Sequence, residues 1–157
     1  MTTTSPDLHY ERGLALLEMR QFAKATVHFR AAMVIEQQQR VLRPSMRFAS
    51  YYAVSRALDN KLTHDDLVIC EQAAAKDDYD PVLQLNLAKV YLRAHKTVKA
   101  LSTIRRGLKL DPANEPLRRL LVETDRRAKP VVPLLSRDHP LNRSLGRLRA
   151  SLGNSHR

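Results

Sequence analysis

The sequence predicts an all-α chain of repeated helix pairs, and three observations lead there. Ala, Leu, Arg, Lys, Glu and Gln are abundant, while Gly numbers only four and Trp is absent; these are strong helix formers. Apolar residues recur at the spacing of helices that bury one face. A helix–turn–helix unit of about 34 residues recurs along the first three-quarters of the chain, as in architectures that stack small units into one continuous core. The length of 157 residues suits one domain, and 43% apolar residues permit a sizeable core.

The clearest unit is PVLQLNLAKVYLRAHKTVKALSTIRRGLKLDPAN, Pro81 to Asn114. Asp80 is a natural N-cap and Pro81 suits the first helical position. Leu83, Leu87, Val90, Tyr91 and Ala94 follow at helical spacing, with a break near His95–Thr97. Val98, Leu101, Ile104, Leu108 and Leu110 stripe a second helix that Asp111 and Pro112 end. The same template fits Pro6 to Gln39 behind Ser5, and Arg40 to Pro44 is extra, so the helix from Phe22 to Gln39 is expected to run long. In the middle unit, FASYYAVSRAL and DDLVICEQAAA read as the two helices, with Thr63 and Asp66 spaced as a capping box. Either Ala53 or Val54 fits its tight helix-crossing position.

The third unit resembles a tetratricopeptide repeat (TPR). Leu87-Ala88 matches the pair where its two helices pack closely, and Tyr91 the aromatic position of its first helix. Ala100, Ile104 and Gly107 match the small, large and small positions of the second helix, and Pro112 the closing proline. In the first unit Gly13, Leu16, Ala25, Phe29 and Ala32 take these places, with Gln37 where the closing proline would be. All three units lack the usual Gly at the turn, where Arg20, Lys61 and His95 stand. The resemblance, to a small bacterial-type TPR protein, implies a right-handed α-solenoid. Its TPR domain is expected over residues 1–128, with repeats at about 6–39, 46–80 and 81–114 and a capping helix at 115–128.

In that capping helix Leu117, Leu120, Leu121 and Thr124 form one stripe beneath a charged opposite side, as a terminal repeat face requires. KPVVP, Lys129 to Pro133, breaks the helix. The remaining basic tail, 129–157, contains PLNRSLGRLRASL, expected to be helical over about 140–152. There Leu141, Leu145, Leu148 and Leu152 share a stripe beside Arg143, Arg147 and Arg149, with Arg137 upstream. Burying four leucines would contribute roughly 1.5–3 kcal/mol each before entropy. Gly146 would cost about 1 kcal/mol in a free helix. Docking on the chain's own repeats is the expected use, and folding on a partner the alternative. The segment from Pro130 to Asn142 also resembles, loosely, an extension that follows the repeats in some small bacterial TPR proteins.

The formal net charge is +11, which attracts nucleic acid, acidic lipid or acidic protein. The last forty residues carry +7 of it. Cys70 is the one cysteine, so no disulfide framework exists within the chain. Neither a signal peptide nor a membrane-spanning stretch is expected, and a cytoplasmic, reducing location is the default. The six histidines form no metal-ligand spacing, and no phosphate-binding loop is present. Asp65-Asp66 and the Asp77, Asp78 and Asp80 cluster fall at helix starts and turns, where capping outweighs carboxylate-pair chemistry. Cys70, on a packing face, reads as a small buried apolar residue. No enzyme, cofactor or metal site is expected.

The expected function is therefore a surface: a TPR adaptor or co-chaperone binding a peptide or partner protein on the concave face lined by each first helix. Carried over from the resemblance, the lining positions are Tyr10, Leu14, Leu17 and Glu18 in the first repeat and Leu85, Asn86, Lys89, Leu92 and Arg93 in the third. TPR proteins often use an Asn at the Asn86 position to bond a peptide backbone; a solvated Asn is the other reading, and some of these leucines are open to an inter-repeat core role. TPR domains that clamp acidic chaperone C-termini place Lys and Asn on the first repeat. Tyr10 and Leu14 stand there instead, and Val82 stands where the third repeat needs Lys, so a carboxylate clamp is not expected. The resemblance also covers three-repeat secretion chaperones of similar length. The alternative class is an electrostatic binder of nucleic acid or acidic membrane through the Arg-rich C-terminal third, with binding that falls steeply with salt. Without an aromatic after Tyr91, base stacking and interfacial anchoring are disfavoured. A second copy of the chain is a further possible partner.

Overall fold

The computed structural model describes residues 5–128, which form seven helices and no strand. They are α1 (Pro6–Glu18), α2 (Phe22–Gln38), α3 (Met46–Leu58), α4 (His64–Lys76), α5 (Pro81–Arg93), α6 (Thr97–Leu110) and α7 (Glu115–Ala128). Three helix pairs stack in chain order, and α7 closes the stack against α6.

Local chemistry starts the helices. The Ser5 and Asp80 side chains each accept the N–H two residues on, with Pro6 and Pro81 at the start of the helix. Thr63 and Asp66 close a reciprocal capping box. Asn114 Oδ1 accepts the Leu117 N–H at 3.2 Å.

The turns keep a glycine-type geometry without glycine. Arg20, Asn60 and His95 all have φ of 58°, and Arg40 has φ of 51°. The next residue's N–H then reaches back into the helix: Gln21 to the Leu16 carbonyl, Lys61 to Arg56, Lys96 to Tyr91 and Val41 to Glu36, at 2.8–3.1 Å. This is the Schellman closure, in which a left-handed residue satisfies carbonyls that the helix end would orphan. In the middle pair the left-handed residue is Asn60, correcting the expectation of Lys61. The same fact resolves the register. Gly13, Ala53 and Ala88 each stand seven residues beyond the first residue of their helix, so Ala53 holds the tight position rather than Val54. The middle turn runs five residues, 59–63, against three in the other pairs.

Packing follows from small residues at crossings. A Cβ on Gly13 would lie 2.6 Å from the Phe29 ring, so only glycine lets α1 approach α2 there. Phe29, Ala25 and Ala32 are fully buried beneath it. The long α2 carries Glu36, whose two carboxylate oxygens accept the Ser45 N–H at 3.1 Å and tie the linker to the start of α3. The largest core runs from Ala53 and Val54 through Leu67, Cys70, Ala73 and Ala74 to Leu83, Leu87, Val90, Tyr91 and Ala100. A second cluster, Leu85, Ala88, Ile104 and Leu117, joins α5, α6 and α7, with Leu120 and Leu121 packed on it. A Cβ on Gly107 would meet Leu117 at 2.7 Å, which is how α7 sits so close to α6.

Candidate functional site

The first-repeat residues expected in the groove divide. Tyr10 closes on its neighbours: its ring centroid lies 5.1 Å from that of Phe48, 5.6 Å from Tyr51 and 6.0 Å from Phe29. Phe29 stacks on Tyr51 at 5.4 Å. Arg47 Nε donates to Asp80 Oδ2 at 2.6 Å beside them. Burial raises the pKa of both tyrosines, that of Tyr51 to about 12. Tyr10 is therefore mainly a joint between the first two pairs. Leu14 and Leu17 are half-buried and Glu18 is exposed.

In the third repeat, Leu85 takes the inter-repeat core role, packed with Ala88, Ile104 and Leu117. Asn86 is not solvated: its exposure is 0%, and neither its amide nitrogen nor its carbonyl oxygen has a hydrogen-bond partner. A buried amide left unpaired costs about 1–3 kcal/mol. Lys89, one turn along the same face, is half-buried, and burial lowers its pKa. Leu92 is half-buried against the main core, and Arg93 is exposed. The structure thus brings Asn86 and Lys89 together on α5 as desolvated polar groups.

The acidic clusters do more than cap. Asp66 also accepts Arg56 Nε at 2.9 Å, Asp78 accepts Arg106 at 2.6 Å and Asp80 accepts Arg47. They tie helices together, a role that spacing alone did not reveal. Cys70 is buried, donates to the Ser50 carbonyl at 3.6 Å, and has its thiol pushed up to about 12 by burial. It is no nucleophile at neutral pH. Among the described residues no group of three or more His, Cys, Asp or Glu could hold a metal ion, and no helix is long and apolar enough to cross a membrane. The tail residues Arg137, Leu141, Arg143, Leu145, Arg147, Leu148, Arg149 and Leu152 lie outside the described residues.

Sequence reasoning missed Gln84. It is 2% exposed, and its Nε2 has no partner. The available signal was its place in the buried stripe with Leu87, Ala88 and Tyr91, where a polar residue is out of keeping.

A stack of antiparallel helix pairs with small residues at each crossing defines a helical-repeat solenoid. Solved structures specify which. The Arabidopsis OM64 TPR domain is 14% identical, covering 77% of this chain and 94% of that one, with a TM-score of 0.57. The first TPR domain of human RPAP3 is also 14% identical, covering 77% of this chain and 90% of its own, with a TM-score of 0.61. The first TPR of Spaghetti (RPAP3) bound to the HSP90 peptide SRMEEVD covers 78% and 91%, with a TM-score of 0.59 at 14% identity. The chain has the TPR fold, a right-handed α-solenoid of three helix pairs with a closing helix. No protein-family profile matches it, and no curated protein matches it in sequence.

Proposed function

We propose that this chain is a non-catalytic protein-interaction module that binds a peptide segment of a partner on its concave face. The observation that carries the reading is Asn86, a buried amide with neither donor nor acceptor used. A peptide backbone offers the complement, one N–H and one C=O. Lys89, one turn along the same face, then binds a carbonyl or carboxylate of the ligand with its ammonium. Two of the similar TPR domains were solved with chaperone peptides, SRMEEVD and SGPTIEEVD. The residues here favour a different peptide. Tyr10 is spent on an aromatic joint, Arg47 is already paired with Asp80, and Val82 supplies no charge. Half-buried Leu14, Leu17 and Leu92 favour a segment with apolar side chains and few charges.

Selection of random displayed peptides on the full chain, followed by fluorescence titration of one winner, tests this. Asn86→Leu is expected to weaken binding at least tenfold, with little dependence on salt. Equal affinity in the variant, or binding that vanishes between 50 and 300 mM salt, would remove the reading and favour electrostatic capture.

A further inference from the structure

We infer that the cleft between α4 and α6, floored by α5, is a second binding site, for a short extended peptide backbone, away from the concave face. The cleft encloses about 400 Å³ and is lined by Glu71, Ala74, Ala75, Gln84, Leu87, Tyr91, Ser102, Thr103 and Arg106. Gln84 and Asn86 are two residues apart on one helix, so they project roughly opposite ways. The Gln84 stem is held in place: a Cβ on Gly107 would lie 3.1 Å from Gln84 Cβ, so α6 presses directly upon it.

The polar inventory decides the ligand class. Gln84 Nε2 is buried and without a partner. Rotation about its last torsion presents either the NH₂ or the carbonyl to the cleft. The other lining groups are largely engaged with each other or their own helices. Tyr91 donates to Glu71 at 2.6 Å, with Lys99 over the Tyr91 ring at 5.5 Å. Ser102 and Thr103 donate to the Lys99 carbonyl, and Arg106 pairs with Asp78 at 2.6 Å. One unpartnered side-chain amide on a floor of Leu87, Ala74 and Ala75 offers a hydrogen bond to a peptide unit and little to a phosphate or a sugar ring. Both charged lining groups are already paired, Glu71 with Lys99 at 3.8 Å and Arg106 with Asp78 at 2.6 Å, so the cleft suits a segment without net charge.

The test uses the full ¹⁵N-labelled chain titrated with N-acetyl-trialanine N-methylamide, a probe that has a backbone and no charge. The expected result is saturable shifts of the Ala75, Ser102 and Thr103 amides and of the Gln84 side-chain NH₂. Gln84→Met keeps the stem and removes the amide. It should weaken the apparent Kd at least tenfold while leaving the Tm unchanged or raised, since an unpaired buried group is lost. Ala75→Arg, at an exposed position, should block the cleft without touching the core. Absence of saturable shifts, equal affinity in Gln84→Met, or shifts confined to Asn86 and Lys89 would each overturn the proposal. The last would place the probe on the concave face instead, so the two sites are separable in one titration.

Discussion

The second and third repeats place different chemistry at matched positions, and the difference shows where this solenoid is closed and where it is unfinished. Tyr51 and Asn86 each stand five residues beyond the start of the first helix in their pair. Tyr51 is complete within the molecule. Its ring stacks on Phe29, its edge meets Tyr10, and its hydroxyl lies with Tyr10, Arg47 and Asp80. Asn86 is buried more deeply, at 0% exposure against a half-buried Tyr51, but bonds to nothing. The repeated fold supplies the same backbone frame twice. The aromatic end spends it on stability, and the amide end leaves it available for a ligand.

Removing the closed end's anchor should have the largest effect. Phe29→Ala takes a fully buried ring from beneath Gly13, Tyr10 and Tyr51 and is expected to cost about 3–5 kcal/mol. The urea midpoint of the full chain measures it. Tyr51→Ala in the same assay should follow in the same direction. If Phe29→Ala cost under about 1 kcal/mol, the aromatic cluster would not be a structural joint between the first two pairs.

At the open end the sign should reverse. Asn86→Leu removes an unpaired amide and keeps the volume, so stability is expected to rise by about 1–3 kcal/mol while peptide affinity falls. A loss of stability in that variant would mean that Asn86 is satisfied, and the contrast with Tyr51 would collapse.

The turns give a smaller, cleaner contrast. His95 and Asn60 share φ of 58°, but Asn tolerates that region and His pays a steric cost. His95→Gly should raise stability by about 1 kcal/mol and Asn60→Gly by less, read as the Tm difference between the two variants.

Much of the fold was legible because caps and crossing residues are local. Ser5-Pro6, Asp80-Pro81 and the Thr63–Asp66 box mark helix starts in any context, and Gly13, Ala88 and Ala100 mark where helices meet. The middle register was not legible, because Ala53 and Val54 are both buried and periodicity cannot choose between adjacent buried residues. Only the left-handed turn at Asn60, a backbone fact, separates them. The site was less legible still. Leu85 and Tyr10 are exposed or buried according to how the next pair stacks, which no single helix encodes. Asn86 was found by its position in the repeat. Its orphaned state, like that of Gln84, depends on every neighbour lacking a polar group within reach.

The smallest expected effect concerns the first pair and appears only on acidification. His9 Nδ1 and His28 Nδ1 lie 3.0 Å apart on α1 and α2, a distance at which one ring must accept while the other donates. Burial holds the His28 pKa below its ordinary 6.5, with the charges of His9 and Arg12 acting the same way. Above pH 6.5 both the folded and unfolded chains carry His28 neutral, so it adds no pH dependence. As pH falls through 6.5 toward the folded value, the unfolded chain takes up a proton that the folded chain resists, and stability declines. Below the folded value the loss is complete and the slope ends. Urea midpoints at pH 7.5 and 5.5 should therefore differ more for the parent chain than for His28→Asn, whose amide keeps a polar group beside His9 but does not titrate. Equal differences in the two chains would mean that the imidazole pair does not sense pH.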